Sequence, residues 1–387
     1  MSAPDITVAE IEAVRATLDT PYLSMGPRIS QFEERFAAFI GTRHAVGVAN
    51  GTAGLHLAIL AAGVDSGDLV ITTPFSFVAS ANCILYERAI PVFVDIDPQT
   101  LSMDPTLLAQ AADDLAWGGQ TAQRWLPPTV RRAPPAVCRL KAILAVDVFG
   151  PPADYDLSRQ VAERHNLGLI EDACEAVGAE YKGRKAGTLG DVAVFAFYPN
   201  KQMTTGEGGV VVTDREDWDR LFRSLRNQGR DESGTWLNHI RLGYNYRLDE
   251  MSAALGAAQL ARIEELLLKR ECVAHMYNQR LSAVAGISLP YVAPTTSRSS
   301  WFVYVIRLAA EIDRDRMIAG LEECGVPARP YFTPIHLQPL YRERFGYREG
   351  DLPITEAVAR STLALPFSGV MTEEQVDYVC ETLQAVL

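Results

Sequence analysis

The 387-residue sequence has no run of about 18 apolar residues, so no membrane-spanning helix is expected. It has no basic block either: 36 Lys and Arg stand against 48 Asp and Glu, a formal net charge of −12. That balance argues against nucleic acid or an anionic membrane as partner, although a small anion needs only a local group of donors. The opening "MSAPDITVAEIEAVRATL" lacks a basic stretch followed by an apolar core, so no signal peptide is expected. The six cysteines (Cys83, Cys138, Cys174, Cys272, Cys324, Cys380) are scattered, without C-x-x-C, which fits reduced thiols in a cytoplasmic protein. Neither H-E-x-x-H nor a zinc-type histidine cluster occurs, so no metal site is expected. No G-x-G-x-x-G stands at a strand-to-helix turn, and there is no internal repeat or low-complexity tract.

What is present is a globular mix, 48% hydrophobic and 22% charged, too long for one ordinary core. Short apolar runs bounded by Gly, Pro or Asp recur at 69–79, 89–97, 142–150, 167–174, 191–198 and 208–214, alternating with helix-like stretches. Continuous apolar strands between helices predict an α/β domain with a mostly parallel sheet sandwiched by helices. We place this large domain at 20–248. A long periodic helix over 245–281, expected to bend, leads into a smaller α+β C-terminal domain at 249–387, with a strand at 300–308 and helices at 314–325 and 372–386. The N-terminal helix over 7–18 is free to pack on either. A Pro-, Arg- and Trp-rich stretch, 113–139, is read as a surface insertion.

Three features are candidates for chemistry. In "VANGTAGLHLA" a small-residue turn at Gly51 opens a helix, with Thr52 as cap, and the free N–H groups of a first turn suit an anion. In "LIEDACEA" Asp172 ends an apolar strand, where open sheets bind ligands, and Glu175 follows three residues on. In "FAFYPNKQMTTGEGGVVVTD" Lys201 follows the next strand, desolvated among Phe195, Phe197 and Tyr198 as Schiff-base chemistry requires. Glycines 206, 208 and 209 let the chain turn sharply back. Each feature alone has a plainer reading: a capped turn, a helix-capping acid, a lysine at a loop tip. Cys174 reads as a small core residue, since no histidine stands near it to activate it. Together the three match what pyridoxal phosphate needs: donors for its phosphate, a carboxylate for its ring nitrogen and an amine for its aldehyde. Phe75 is placed to stack on the ring, or to be a core aromatic.

These stretches, with "GPRISQFEERFAAFIGTRHAVGVANGTAGLHLA", "GYNYRLDEMSAALGAAQL" and "PIHLQPLYRERFG", resemble the DegT/DnrJ/EryC1/StrS aminotransferases over nearly the whole chain. The resemblance implies a fold type I pyridoxal-phosphate transferase of aspartate aminotransferase-like architecture. It implies Lys201 as the lysine that forms the internal aldimine and moves the proton. Asp172 then pairs with the pyridinium nitrogen, Phe75 stacks, Gly51, Thr52 and Ala53 cradle the phosphate, and Glu175 lies beside the ring. Asn245 is expected to reach the phosphate of a neighbouring subunit, making a homodimer with composite sites. Ala196 and Tyr198 stand where relatives often have serine and histidine. The implied reaction moves an amino group from an amino acid, with L-glutamate the first choice, to a nucleotide-linked keto-sugar. Arg28, Tyr198, Arg247, Arg329, Tyr331 and His336 are candidate substrate contacts, each alternatively a plain structural residue. A keto-cyclitol or other keto substrate, or a regulator that keeps the fold without turnover, are the alternatives. Retention of Lys201 and Asp172 weighs against the last.

Overall fold

The computed structural model describes residues 3–132, 138–231 and 238–387. The apolar runs form β1 (His44–Val48), β2 (Leu69–Thr72), β3 (Ile90–Phe93), β4 (Leu140–Val146) and β5 (Gly168–Asp172). A short hairpin, β6 (Glu180–Tyr181) and β7 (Arg184–Lys185), precedes β8 (Val192–Ala196) and β9 (Gly209–Thr213). Seven strands make one sheet in the order β1-β9-β8-β5-β4-β2-β3. The pairs from β3 across to β8 are parallel, and only β9 runs against its neighbours.

Side chains alternate across a strand, and here both faces are covered. Val192 and Val194 of β8 pack with Leu55, Leu57 and Phe222 from helices Gly51–Ala61 and Glu216–Arg226. Ala193 and Phe195, pointing the other way, pack with Phe32, Phe36 and Ala253 from helices Pro27–Ile40 and Glu250–Ala261. Helix Gly51–Ala61 is apolar nearly all round and buried from Ala53 through Ile59, which suits a helix closed in on several sides.

The helical pattern over 245–281 divides into Glu250–Ala261 and Ile263–Leu281. The break falls at Arg262, whose guanidinium pairs with Asp5, Glu10 and Glu265. Helix Val8–Leu18 packs against Glu250–Ala261. Beyond lie β10 (Ile287–Ser288), β11 (Thr296–Arg298), β12 (Tyr304–Leu308) and β13 (Thr362–Leu365). β12 sits between β10 and β13 in an antiparallel sheet, while β11 pairs with β6. Tyr277, Tyr304, Leu363 and Val376 share a separate apolar cluster with the helices around this small sheet.

Much of the 113–139 stretch is helical. Helix Pro105–Trp117 runs into it, and Gly119–Gln123 and Pro128–Arg132 follow; residues 133–137 lie outside the described residues. Its Leu126 and Val130 are buried in one cluster with Tyr341, Phe345 and Tyr347, so this part is packed down rather than projecting.

Two of the glycines after Lys201 do different jobs. Gly206 has φ +80°, the left-handed turn the sequence suggests. Gly209 instead permits a close approach: a Cβ there would stand 2.7 Å from Phe195 O and 2.9 Å from Gly51 N. Both contacts are backbone, which cannot step aside. Gly209→Ala is expected to cost about 1–3 kcal/mol in urea unfolding, as overpacking does; a change within about 0.5 kcal/mol would show that the two segments separate freely.

Candidate active site

β5 and β8 are neighbours and parallel, so their carboxyl ends open on the same edge of the sheet. β5 ends at Asp172, and five residues after β8 ends comes Lys201. Between these and the start of helix Gly51–Ala61 is a cavity of about 410 Å³. Asn50, Gly51 and Thr52 line one side, and Asp172, Glu175 and Lys201 line others.

Asp172 is 4% exposed. Its Oδ2 accepts from Ser80 Oγ at 2.7 Å, and its Oδ1 accepts from the Cys174 amide at 3.2 Å. Ser80 is braced in turn by Ser76, 2.8 Å between hydroxyls. Among the described residues no Lys, Arg or His pairs with this carboxylate. A buried, cavity-facing carboxylate without a cation is a costly arrangement that a cationic ring N–H would relieve.

Lys201 Nζ lies 3.4 Å from Glu175 Oε1 and 3.7 Å above the centre of the Phe302 ring. The far oxygen of Glu175 accepts from the Phe149 amide at 2.9 Å. Burial pushes the Glu175 carboxyl up, and the Lys201 ammonium pulls it back down. The Cys174 thiol lines the same cavity, contrary to the core position expected of it; burial and the adjacent Asp172 push its pKa well up, so it stays a neutral thiol.

The donor set fits pyridoxal phosphate. A helix N-terminus suits the phosphate, Asp172 the ring nitrogen and Lys201 the aldehyde, and Phe77 offers an aromatic face at the cavity. The chain's own residues that would hold it are therefore Gly51, Thr52, Phe77, Asp172, Glu175 and Lys201.

Several expectations need correction. The helix cap is Asn50, in extended conformation, whose Oδ1 accepts from Ala53 N at 2.9 Å; Thr52 lies inside the first turn. Ala53 has spent its amide on that cap and does not line the cavity. Phe75 is fully buried against Phe149 and Phe332, with ring centres 5.8 Å from each, so it is a core aromatic. Phe77, 61% exposed and lining the cavity, is the available ring. The chain leaves β2 at Thr72, and strand alternation no longer says which of the two phenylalanines faces in.

Of the six candidate substrate contacts, Tyr198 and Tyr331 line the cavity. Arg28, Arg247, Arg329 and His336 do not line the cavity of their own chain. The Arg28 amide donates to Glu250 Oε2 at 2.7 Å, Arg247 donates to Asn227 Oδ1 at 3.0 Å, and Arg329 pairs with Glu322. Asn245 is exposed and likewise outside this chain's cavity. Asn200, Glu207, Phe302 and Phe332 line it without having been singled out. Phe302 lies a hundred residues from Lys201 inside a run read as core strand, so no local signal marked it.

The DegT/DnrJ/EryC1/StrS aminotransferase family model matches residues 4–384. The GDP-perosamine synthase of Caulobacter vibrioides is 38% identical over 391 residues, covering 100% of this chain and 98% of its own. Among solved structures, S. venezuelae DesV superposes with a TM-score of 0.85 at 33% identity, covering 97% of this chain and 93% of its own. The sugar aminotransferase Spr1654 of Streptococcus pneumoniae, described as putative and solved in its PLP form, superposes at 0.87 with 26% identity, covering 100% of this chain and 97% of its own. Fold, donor set and similarity together make this a pyridoxal phosphate-dependent aminotransferase. The chain belongs to the DegT/DnrJ/EryC1/StrS aminotransferase family.

His336 is instead a buried clip. Its Nε2 lies 3.0 Å from Glu356 Oε1, tying a 3-10 turn to helix Pro353–Ser361. Burial lowers its pKa below the ordinary value, against the upward pull of Glu356. The unfolded chain therefore binds more protons there, and stability is lost as pH falls below about 6.5. The unfolding midpoint of the parent should drop more steeply from about pH 7.5 to 5.5 than that of His336→Gln; equal slopes would exclude this histidine as a cause.

Proposed function

We propose that this enzyme moves an amino group from an amino acid, first L-glutamate, to a keto-sugar carried on a nucleotide, in the cytoplasm. The reading is carried by the end-to-end similarity to a protein named GDP-perosamine synthase, at 38% identity. When bound, pyridoxal phosphate supplies a carbonyl that exchanges with amines and a ring that takes up the electron pair left on deprotonation. Lys201 holds and moves the proton at its Nζ, next to the substrate carbon that gains or loses it. Asp172, fixed by Ser80 and the Cys174 amide, holds a proton on the ring nitrogen. Gly51 and Thr52 bind phosphate at the helix start, Phe77 rather than Phe75 packs on the ring, and Glu175 orients Lys201. Tyr198 and Tyr331 meet the sugar.

We take residues 20–248 as the cofactor-binding domain and 249–387 as the smaller one. We also take the enzyme to be a homodimer in which Asn245 serves the neighbouring site. That assignment is supported by Asn245 lying exposed in the same stretch of chain as the exposed apolar side chains Ile240 and Leu242. Arg28 and Arg247, outside their own cavity, are placed with it as partner-facing candidates.

A screen of nucleotide-linked keto-sugars with L-glutamate, followed by product mass, tests the substrate class; turnover of free keto-cyclitols alone would replace it. Lys201→Ala should abolish turnover with the fold retained. Asp172→Asn should lower it by on the order of a hundredfold, the scale of removing one preorganised electrostatic contact. Near-parental rates in either variant would sink that residue's role.

A further inference from the structure

Beneath the cavity lies a buried cation that the chemistry above does not use. Arg270, on helix Ile263–Leu281, is 4% exposed and has no carboxylate partner among the described residues. Burial alone acts on its pKa, bringing it down to about 10. Surface arginines avoid such a position, and structural buried arginines usually meet an acid. In this molecule Arg226 does so, on Glu33. Among the described residues Arg270 donates hydrogen bonds only to backbone oxygens, with the Phe367 ring centre 5.7 Å from its guanidinium. Its Nη2 donates to Lys201 O at 2.6 Å and Asn200 O at 3.2 Å. Its Nη1 donates to Phe302 O at 3.1 Å and Trp301 O at 3.2 Å.

Those four carbonyls belong to two segments far apart in sequence. One carries Lys201. The other carries Phe302, whose ring lies 3.7 Å under the Lys201 ammonium. One nitrogen of the fork holds the lysine's backbone and the other holds the backbone of the ring it rests on. The two are thus fixed relative to each other through a single planar group. Beside them, Gln202 Nε2 donates to Glu175 O at 2.5 Å and to Ser300 Oγ at 2.8 Å, joining the same two segments to the residue that orients Lys201.

We propose that Arg270 is a positioning residue for the reaction: it clamps the Lys201 turn to the Phe302 segment so that the amine is held where it attacks and transfers protons. The inference rests on the role given to Lys201 above. Arg270 touches neither substrate nor cofactor and acts only through these two backbones. A lysine at 270 would keep the charge but lose the fork, since one ammonium cannot serve both pairs of carbonyls in the same plane.

The test uses the full-length protein stripped of cofactor. Pyridoxal phosphate is added, and growth of its visible absorbance on the protein is timed for the parent, Arg270→Lys, Phe302→Leu and Lys201→Ala. Arg270→Lys is expected to slow that growth by at least about tenfold, because misplacing a reacting group by about 1 Å costs that much or more. The amount of cofactor bound at the end should match the parent, and melting should stay cooperative. Phe302→Leu should slow growth too, which keeps the idea testable if Arg270→Lys fails to fold. Parental rates in the folded variants overturn the clamp, as does a loss seen only in final occupancy. If Lys201→Ala develops the parental band, the role of Lys201 itself fails; if it is silent while the other two are parental, only the clamp fails.

Discussion

The site depends on one constraint: a helix N-terminus has to come against the ends of β8 and β9 with no side chains between. Three glycines allow it. A Cβ on Gly51 would stand 2.7 Å from that of Ala196, one on Gly54 2.6 Å from Val194 Cγ1, and one on Gly209 2.9 Å from Gly51 N. Real Cβ atoms do not approach so closely, so the helix would lift away. The first turn would then no longer border the cavity that Asp172 and Lys201 share. Ala196 belongs to this packing as well as to the cavity wall.

The charges around this edge are handled by separation. β5 presents Asp172 to the cavity, while its neighbour Glu171 points to the other face. There Glu171 accepts from the amides of Gly187, Leu189 and Gly190 at 2.5, 3.0 and 3.1 Å. Nearby Asp147 accepts from Ala153 N and the Tyr155 hydroxyl. Burial and mutual repulsion push the Asp147 carboxyl up, and burial pushes Glu171 up. The acid facing the cavity is thus left to serve a ligand, while the acids behind it order the loops that frame the strand ends. Arg270 does the same from the cationic side, held by four backbone carbonyls and the Phe367 ring rather than by an acid.

The strand ends were legible because polar residues interrupt long apolar runs: Asp172 after "LIE", and Lys201 soon after "VAVFAF". The parallel sheet followed from the same runs. Legibility failed where the backbone left a regular period. Past Thr72 the alternation stops, and the sequence pointed to Phe75 without marking Phe77, although only the latter reaches the cavity. At the helix start either Asn50 or Thr52 is a chemically suitable cap, and the extended backbone of Asn50 decides it. Arg270 gave no signal, since in sequence it is one charge among many on a periodic helix. Its burial arises only when that helix packs against two distant segments. Arg329 and His336 looked like cavity residues because they flank Tyr331 in a turn-rich stretch, yet one is paired at the surface and the other sealed against Glu356.

The central claim is that Asp172, Lys201 and the helix start form one cofactor site with Lys201 as its amine. Borohydride reduction of the cofactor-loaded protein, followed by peptide mapping, tests this most directly. A pyridoxyl group on the peptide bearing Lys201, and on no other, is the predicted result. A label centred on another lysine, such as Lys182, Lys185 or Lys269, would contradict the account.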